Sequence, residues 1–227
     1  MKISGIQKLT LLDYPGKVAC TIFTPGCNLR CPFCHNASLV FSCADEIGEE
    51  SVLSFLRKRV GVLDGICVTG GEPLLQKDIA DFLRKVKALG YLVKLDTNGT
   101  FPDRLQPLLE EKLVNYVAMD IKASPDNYDN ATGVVTDLEK VRCSVALLKE
   151  SGVAHEFRTT TVKGIHTAAD FEAIAQWLKG EDRFFIQQYK VADDMIGDPF
   201  ESFTKEELDT FAAIVAKTVS QVAVRGE

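Results

Sequence analysis

A fourth cysteine at ligand spacing is missing from this chain, and that absence narrows its chemistry. Cys27, Cys31 and Cys34 form a C-x3-C-x2-C run, three soft thiolates within eight residues, and no further cysteine follows close enough to join them. No run of about 18 or more apolar residues exists, so nothing reads as a membrane span. The opening MKISGIQKLTLLDYPG is mixed and polar, unlike a signal peptide. Positive charge is not in excess. The formal net charge of −6 leaves no electrostatic footprint for nucleic acid. No linker, low-complexity segment or charge run marks a second domain. The count of seven cysteines is odd, which argues against a secreted disulfide framework and for a reducing cytoplasm.

What is present suits one α/β domain over residues 1–227. The length, with 46% hydrophobic and 26% charged residues, is enough for one well-buried core. Cys20, Cys43, Cys67 and Cys143 are scattered and are expected to be structural, Cys20 and Cys67 as small hydrophobes in apolar runs.

Three clustered thiolates permit three readings. Structural zinc is closed and four-coordinate; His35 could complete it, but it adjoins Cys34, and neighbouring side chains in an extended loop diverge. A cubane [4Fe–4S] cluster takes one ligand per iron, so three cysteines leave one iron open for a substrate or cofactor. The thiols could also stay unliganded. Pro25, Gly26 and Pro32 fit a turn-rich loop around a bulky guest.

Along the chain, residues 1–16 read as an extended lead-in ending at the turn Asp13-Tyr14-Pro15-Gly16. Strands are predicted at Val18–Phe23, Asp64–Thr69, Tyr91–Thr97, Asn115–Lys122, His155–Val162 and Arg183–Tyr189. Helices are predicted at Glu49–Val60, Lys77–Leu89, Pro102–Leu113, from a capping box at Thr136 and Glu139 to about Glu150, and at Ala168–Leu178. A second capping box at Thr204 and Glu207 opens the last helix, to about Val219, within a C-terminal helix and tail from about 191. Six β-then-α units imply a parallel sheet with helices outside it, a partial (β/α)6 barrel short of the eight units that close one.

Parallel βα folds place chemistry at the C-terminal ends of the strands. The unusual residues lie there: the cysteines after the first strand, GGEP after the second, DTNG at the third, MDIK at the fourth, Arg158 with Thr159 and Thr160 in the fifth, and Gln187, Gln188 and Tyr189 at the end of the sixth. Each has a plain reading too. Gly70-Gly71 could be a tight turn or a close backbone approach to a ligand. Glu72 could start a helix or meet an ammonium group. Asp96 could cap a turn or bind ribose. Asp120 and Lys122 share a strand face and could be a simple ion pair. Together, around three thiols, they favour a site for a zwitterionic nucleoside.

CNLRCPFC resembles the C-x3-C-x2-C motif of the radical S-adenosylmethionine (SAM) superfamily, and TGGEP its second motif. The run LLDYPGKVACTIFTPGCNLRCPFCHN, with TGGEPLLQ, KLDTNG and YVAMDIKA, resembles the glycyl-radical-enzyme activases, and among them the activating proteins of anaerobic ribonucleoside-triphosphate reductase. The likeness covers about residues 3–190. It implies that Cys27, Cys31 and Cys34 hold three irons of a [4Fe–4S] cluster and that SAM chelates the fourth. Phe33 then lies near the adenine, and Gly70, Gly71 and Glu72 hold the methionine amino group. Asp96, Asp120 and Lys122 line the ribose and carboxylate end. Arg158, Thr160 and Gln188 belong to the fifth and sixth strand ends. Asp13 would lie near an incoming peptide, although DYPG departs from the DGPG of pyruvate formate-lyase activases.

By the same resemblance, one electron cleaves SAM to methionine and a 5′-deoxyadenosyl radical, which takes a hydrogen atom from a glycine of a glycyl-radical enzyme subunit. No ferredoxin-like cysteine insert follows CHN, so one cluster and an external one-electron donor such as flavodoxin or ferredoxin are expected. Two other readings share the motifs: a small-molecule radical SAM enzyme akin to the 7-carboxy-7-deazaguanine synthases, and a non-catalytic iron–sulfur module.

Overall fold

In the computed structural model, residues 1–41, 45–181 and 183–226 are described. Eight strands form one sheet in sequence order, β1 (Gly5–Thr10), β2 (Ala19–Thr24), β3 (Gly65–Gly70), β4 (Leu92–Thr97), β5 (Tyr116–Asp120), β6 (Ala154–Thr161), β7 (Arg183–Gln188) and β8 (Gln221–Arg225). All neighbours from β2 to β8 pair in parallel, while β1 runs antiparallel to β2, with Ile6 opposite Ile22. The six expected strands are β2 to β7. The edges extend them: the lead-in becomes a strand, and Gln221–Arg225, expected as tail, adds a seventh parallel strand. β1 and β8 do not pair, so the sheet stays open.

Eight helices connect or follow the strands: α1 (Ala37–Val40), α2 (Glu49–Arg57), α3 (Ile79–Ala88), α4 (Pro102–Glu110), α5 (Tyr128–Thr132), α6 (Leu138–Ser151), α7 (Ala168–Trp177) and α8 (Lys205–Val215). The longer ones are amphipathic. α3, for instance, buries Ile79, Phe82, Leu83 and Val86 at helical spacing and exposes Asp81, Arg84 and Lys85. The main core lies between these apolar stripes and one face of the sheet, where Val68, Leu95, Val117, Phe157 and Ile186 are fully buried.

The other face differs in chemistry. Residues alternate along a strand, so Lys94 and Asp96 of β4, Asp120 of β5, and Glu156 and Arg158 of β6 stand opposite the core. Two cavities among the described residues draw part of their lining from this face. A parallel sheet covered on both sides reads as continuous apolar runs. The broken runs LVKLDT and AHEFRTTT mark a sheet that curls around a polar interior.

Capping boxes form at Thr204–Glu207 and Thr167–Asp170. The one expected at Thr136 and Glu139 does not: α6 starts a residue later, with Asp137 at its N-cap position, and the Thr136 hydroxyl turns back to Thr132 and Val134. Among the described residues no helix is long and apolar enough to cross a membrane.

Candidate active site

The cysteine loop leaves β2 directly, and β3 holds it from behind. Gly71 N–H donates to Thr24 O at 3.0 Å and Glu72 N–H to Gly26 O at 2.7 Å. This approach requires the glycine pair. Gly70 has φ +125°, and a Cβ there would lie 2.4 Å from the Thr24 backbone. One on Gly71 would lie 2.0 Å from Gly26 O. The plain reading of the pair, a tight close-packed turn, is what these contacts show, and the same glycines line a cavity beside the loop.

That cavity, of about 300 Å³, is lined by all three thiols of the loop. Phe33, Gly70, Gly71, Asp96, Asp120, Lys122, Arg158, Thr160 and Gln188 line it too. The strand ends thus bring together nearly every residue singled out from the sequence. Burial pushes the Cys31 thiol up to about 11, against the pull of the Lys122 ammonium, and raises that of Cys27 as well. Among the described residues no three His, Cys, Asp or Glu side chains converge on a single metal ion. His35 is exposed at the cavity rim.

Facing the thiols is a chain of opposite charges. Lys122 Nζ donates to Asp120 at 2.8 Å. Arg158 donates from Nε to Asp120 at 2.5 Å and from Nη2 to Asp96 at 3.1 Å. Lys94, almost wholly buried, pairs with Asp96 from below. Burial opposes the charged form of each carboxylate, but the cations outweigh it and hold Asp96 and Asp120 below the ordinary carboxylate range. The group is fully ionised at neutral pH and presents both acceptors and donors to the cavity.

Glu72 departs from expectation. It is completely buried and does not line the cavity. Its carboxylate accepts from Leu74 N, Thr97 Oγ1 and Asn98 N at 2.7–2.9 Å, bracing β3 against the end of β4. Burial pushes it up to about 7 against these three donors. Its side chain lies behind the cavity wall, so what GGE presents to the cavity is its glycine pair.

Asp13 also stands apart. It accepts from the Thr21 hydroxyl and lines a second cavity, of about 490 Å³, at the open edge between the turn after β1 and the end of β8. Asp96, Arg158 and Gln187 line both cavities. Of the scattered cysteines, Cys20 is buried as expected, but Cys67 lies on the polar face, with Sγ 3.7 Å from Asp96 Oδ1 and 3.8 Å from Lys94 Nζ. Cys143 is exposed on α6, and Cys43 lies outside the described residues.

Three side chains at the site carry no role in the sequence reading. Asn98, inside the DTNG segment, donates to Asn28 Oδ1 at 3.0 Å and approaches Cys27 Sγ at 3.9 Å. Gln187, named at the sixth strand end, faces the cavity and accepts from Thr160 Oγ1 at 3.3 Å. His166 had no local signal. It is buried, its Nε2 lies 2.8 Å from Lys122 O, and its ring meets Phe33 edge-on with centroids 6.0 Å apart. Burial lowers its pKa and keeps it neutral, which fits an Nε2–H donor to that carbonyl.

Comparison with known proteins agrees with this geometry. The family model described as "Radical SAM superfamily" matches residues 21–178. A "Putative glycyl-radical enzyme activating enzyme" of Methanocaldococcus jannaschii is 34% identical over 98% of this chain and 95% of its own length. The pyruvate formate-lyase-activating enzyme of Clostridium pasteurianum is 32% identical over 58% of this chain and 57% of its own. Streptococcus suis SuiB bound to S-adenosylmethionine superposes with TM-score 0.70 at 14% identity, and the match covers 91% of this chain and 52% of that one.

The chain therefore belongs to the radical SAM superfamily, an α/β enzyme class built on a parallel sheet with outer helices. Within that class it belongs to the glycyl-radical-enzyme activating group. Its cofactors are a [4Fe–4S] cluster and SAM. The residues present fit them: among the described residues, three thiol donors line the same cavity as paired carboxylates and cations suited to a zwitterionic nucleoside.

Proposed function

We propose that this chain takes a hydrogen atom from a backbone glycine of a large partner enzyme. The partner that its DYPG, CHN, DTNG and MDIK segments favour is anaerobic ribonucleoside-triphosphate reductase. One observation carries the reading: the cavity of the three thiols shares Asp96, Arg158 and Gln187 with a second cavity at the open edge of the sheet. A polypeptide reaching in from that edge would arrive beside the strand ends. A closed barrel would admit only small molecules.

In this reading Cys27, Cys31 and Cys34 would hold the cluster and leave it able to bind the amine and carboxylate of SAM. The Gly70-Gly71 backbone accepts from the amino group, and Lys122 and Arg158 offer N–H donors to the carboxylate. Asp96 and Asp120 accept from the ribose hydroxyls, and Phe33 packs against the adenine. When bound, the cluster and SAM supply reductive cleavage of the S–C5′ bond and a carbon radical able to take the glycine hydrogen. His166, donating to Lys122 O and edging Phe33, ties the two ends of the pocket together. Asp13 lies at the open edge as an acceptor for an incoming peptide N–H. The reducing electron comes from an external donor such as flavodoxin or ferredoxin.

Anaerobic reconstitution tests this. About four irons and four sulfides per chain are expected, with 5′-deoxyadenosine and methionine released on reduction. A glycyl doublet should appear in the paramagnetic resonance spectrum once the reductase subunit is added. Cys31→Ala should lose the cluster and cleavage together. SAM left intact after prolonged reduction would overturn the reading. Cleavage with no glycyl signal, alongside turnover of a deazaguanine precursor, would favour the small-molecule enzyme instead.

A further inference from the structure

The segment between β7 and α8 lies outside the likeness read from the sequence and beyond the 21–178 family match. It runs antiparallel along the outer side of the cysteine loop. Ile196 N–H donates to Cys34 O at 3.1 Å and Gly197 N–H to Pro32 O at 3.0 Å, while Ala37 N–H donates to Asp194 O at 3.3 Å. Asp194 adds a side-chain anchor. Its carboxylate accepts from Ser38 N at 3.1 Å and from Ser38 Oγ at 2.7 Å. Residue 197 is glycine because a Cβ there would lie 2.9 Å from Pro32 O.

The segment is itself braced. The buried Tyr189 hydroxyl donates to Met195 Sδ and accepts from Phe200 N, each at 3.3 Å, and Ser202 Oγ donates to Tyr189 O at 2.7 Å. Met195 and Phe200, like Cys27 and Cys34, pack against the apolar cluster that contains Phe33 and Cys31.

We propose that residues 194–197 act as a splint for the third cysteine, with Asp194 as its positioning residue. The carbonyls tied by Ile196 and Gly197 are those of Cys34 itself and of Pro32, so they flank Phe33. Holding both peptide planes sets the direction in which the Cys34 thiol and the Phe33 ring leave the backbone. Asp194 anchors the far end by holding the chain at Ser38, four residues past Cys34. Partners of this kind, outside the ligand set, commonly change metal affinity by 10- to 100-fold. The proposal rests on the reading of Cys34 as a cluster ligand.

The test compares wild type, Asp194→Ala, Asp194→Asn, Ser38→Ala and the Ser38→Ala/Asp194→Ala double variant, all reconstituted anaerobically. The readouts are the rate of iron release to a chelator and the paramagnetic resonance spectrum of the reduced cluster with and without SAM. Asp194→Ala is expected to release iron roughly tenfold faster and to broaden the spectrum. Asp194→Asn, which keeps one acceptor oxygen, should lie between it and wild type, and the double variant should be no worse than Asp194→Ala. Wild-type release rates and spectra in both Asp194→Ala and Ser38→Ala would overturn the splint. A wild type that assembles no cluster would instead overturn the ligand reading beneath it. Should Asp194→Ala fail to fold, Ser38→Ala alone decides, since it removes only a hydroxyl.

Discussion

Arg158 stands between two buried carboxylates, Asp96 and Asp120, and donates to both. Removing one member of such a group costs more than the group contributes, because charges are left buried and unpaired. Arg158→Met should destabilise the cofactor-free protein by about 3 kcal/mol or more, a Tm loss of roughly 10 °C in anaerobic thermal unfolding. A loss under about 2 °C would show that solvent reaches the carboxylates and that the charge chain holds nothing. Residues of this kind were legible before folding, because a charge in an apolar strand needs a reason. Glu72 was legible as important but not in its role. Whether its carboxylate faces the cavity or the β4 turn depends on backbone donors at Leu74 and Asn98, and sequence spacing does not encode those. His166 was silent for the same reason: a lone histidine carries no address for Lys122 O and Phe33.

At the scale of elements, the cysteine loop has little regular structure of its own and takes its form from what touches it. Gly70 and Gly71 press on it from β3, Thr132 O accepts from Arg30 N at 2.8 Å on another side, and residues 194–197 run along a third. Gly71→Ala should therefore cost about 2 kcal/mol or more through overpacking and reduce the iron retained after reconstitution. Gly48→Ala serves as the control. Its nearest new neighbour is Ser51 Oγ at 3.8 Å, so the change meets no backbone and, at the N-cap of α2, should cost no more than about 1 kcal/mol. Equal behaviour of the two variants in denaturant unfolding and iron counts would remove the packing argument. Helix signals were legible where the caps are local. Thr204 with Glu207 reads as a capping box and forms one. Thr167 with Asp170 forms one without the expected Glu or Gln. Thr136 loses the same role because tertiary partners at Thr132 and Val134 compete for its hydroxyl.

Across the whole molecule, the last strand settles a buried charge. Glu156 is 1% exposed and accepts two donors from Arg225 of β8, at 2.7 and 3.0 Å, and one from the Tyr116 hydroxyl at 2.6 Å. A chain ending at Ser220 would leave that carboxylate without its cation and β7 as a bare edge. It should lose about 2 kcal/mol or more of stability and aggregate on light scattering near neutral pH. A shortened chain as stable and monodisperse as the full one would show that β8 is an accessory.

The sequence by itself determined the sulfur donors, the βα alternation and the charged residues at successive strand ends, because those depend on residue type and short spacing. It also contained, in the broken apolar pattern of β4 and β6, the sign of a polar interior. Tertiary structure alone decided that the sheet gains a strand at each edge, that Glu72 turns away from the cavity while Gln187 faces it, and that residues 194–197 brace the cysteine loop from more than 150 residues away. Long-range backbone hydrogen bonds and close approaches decide each of these, and they exist only once the chain has folded.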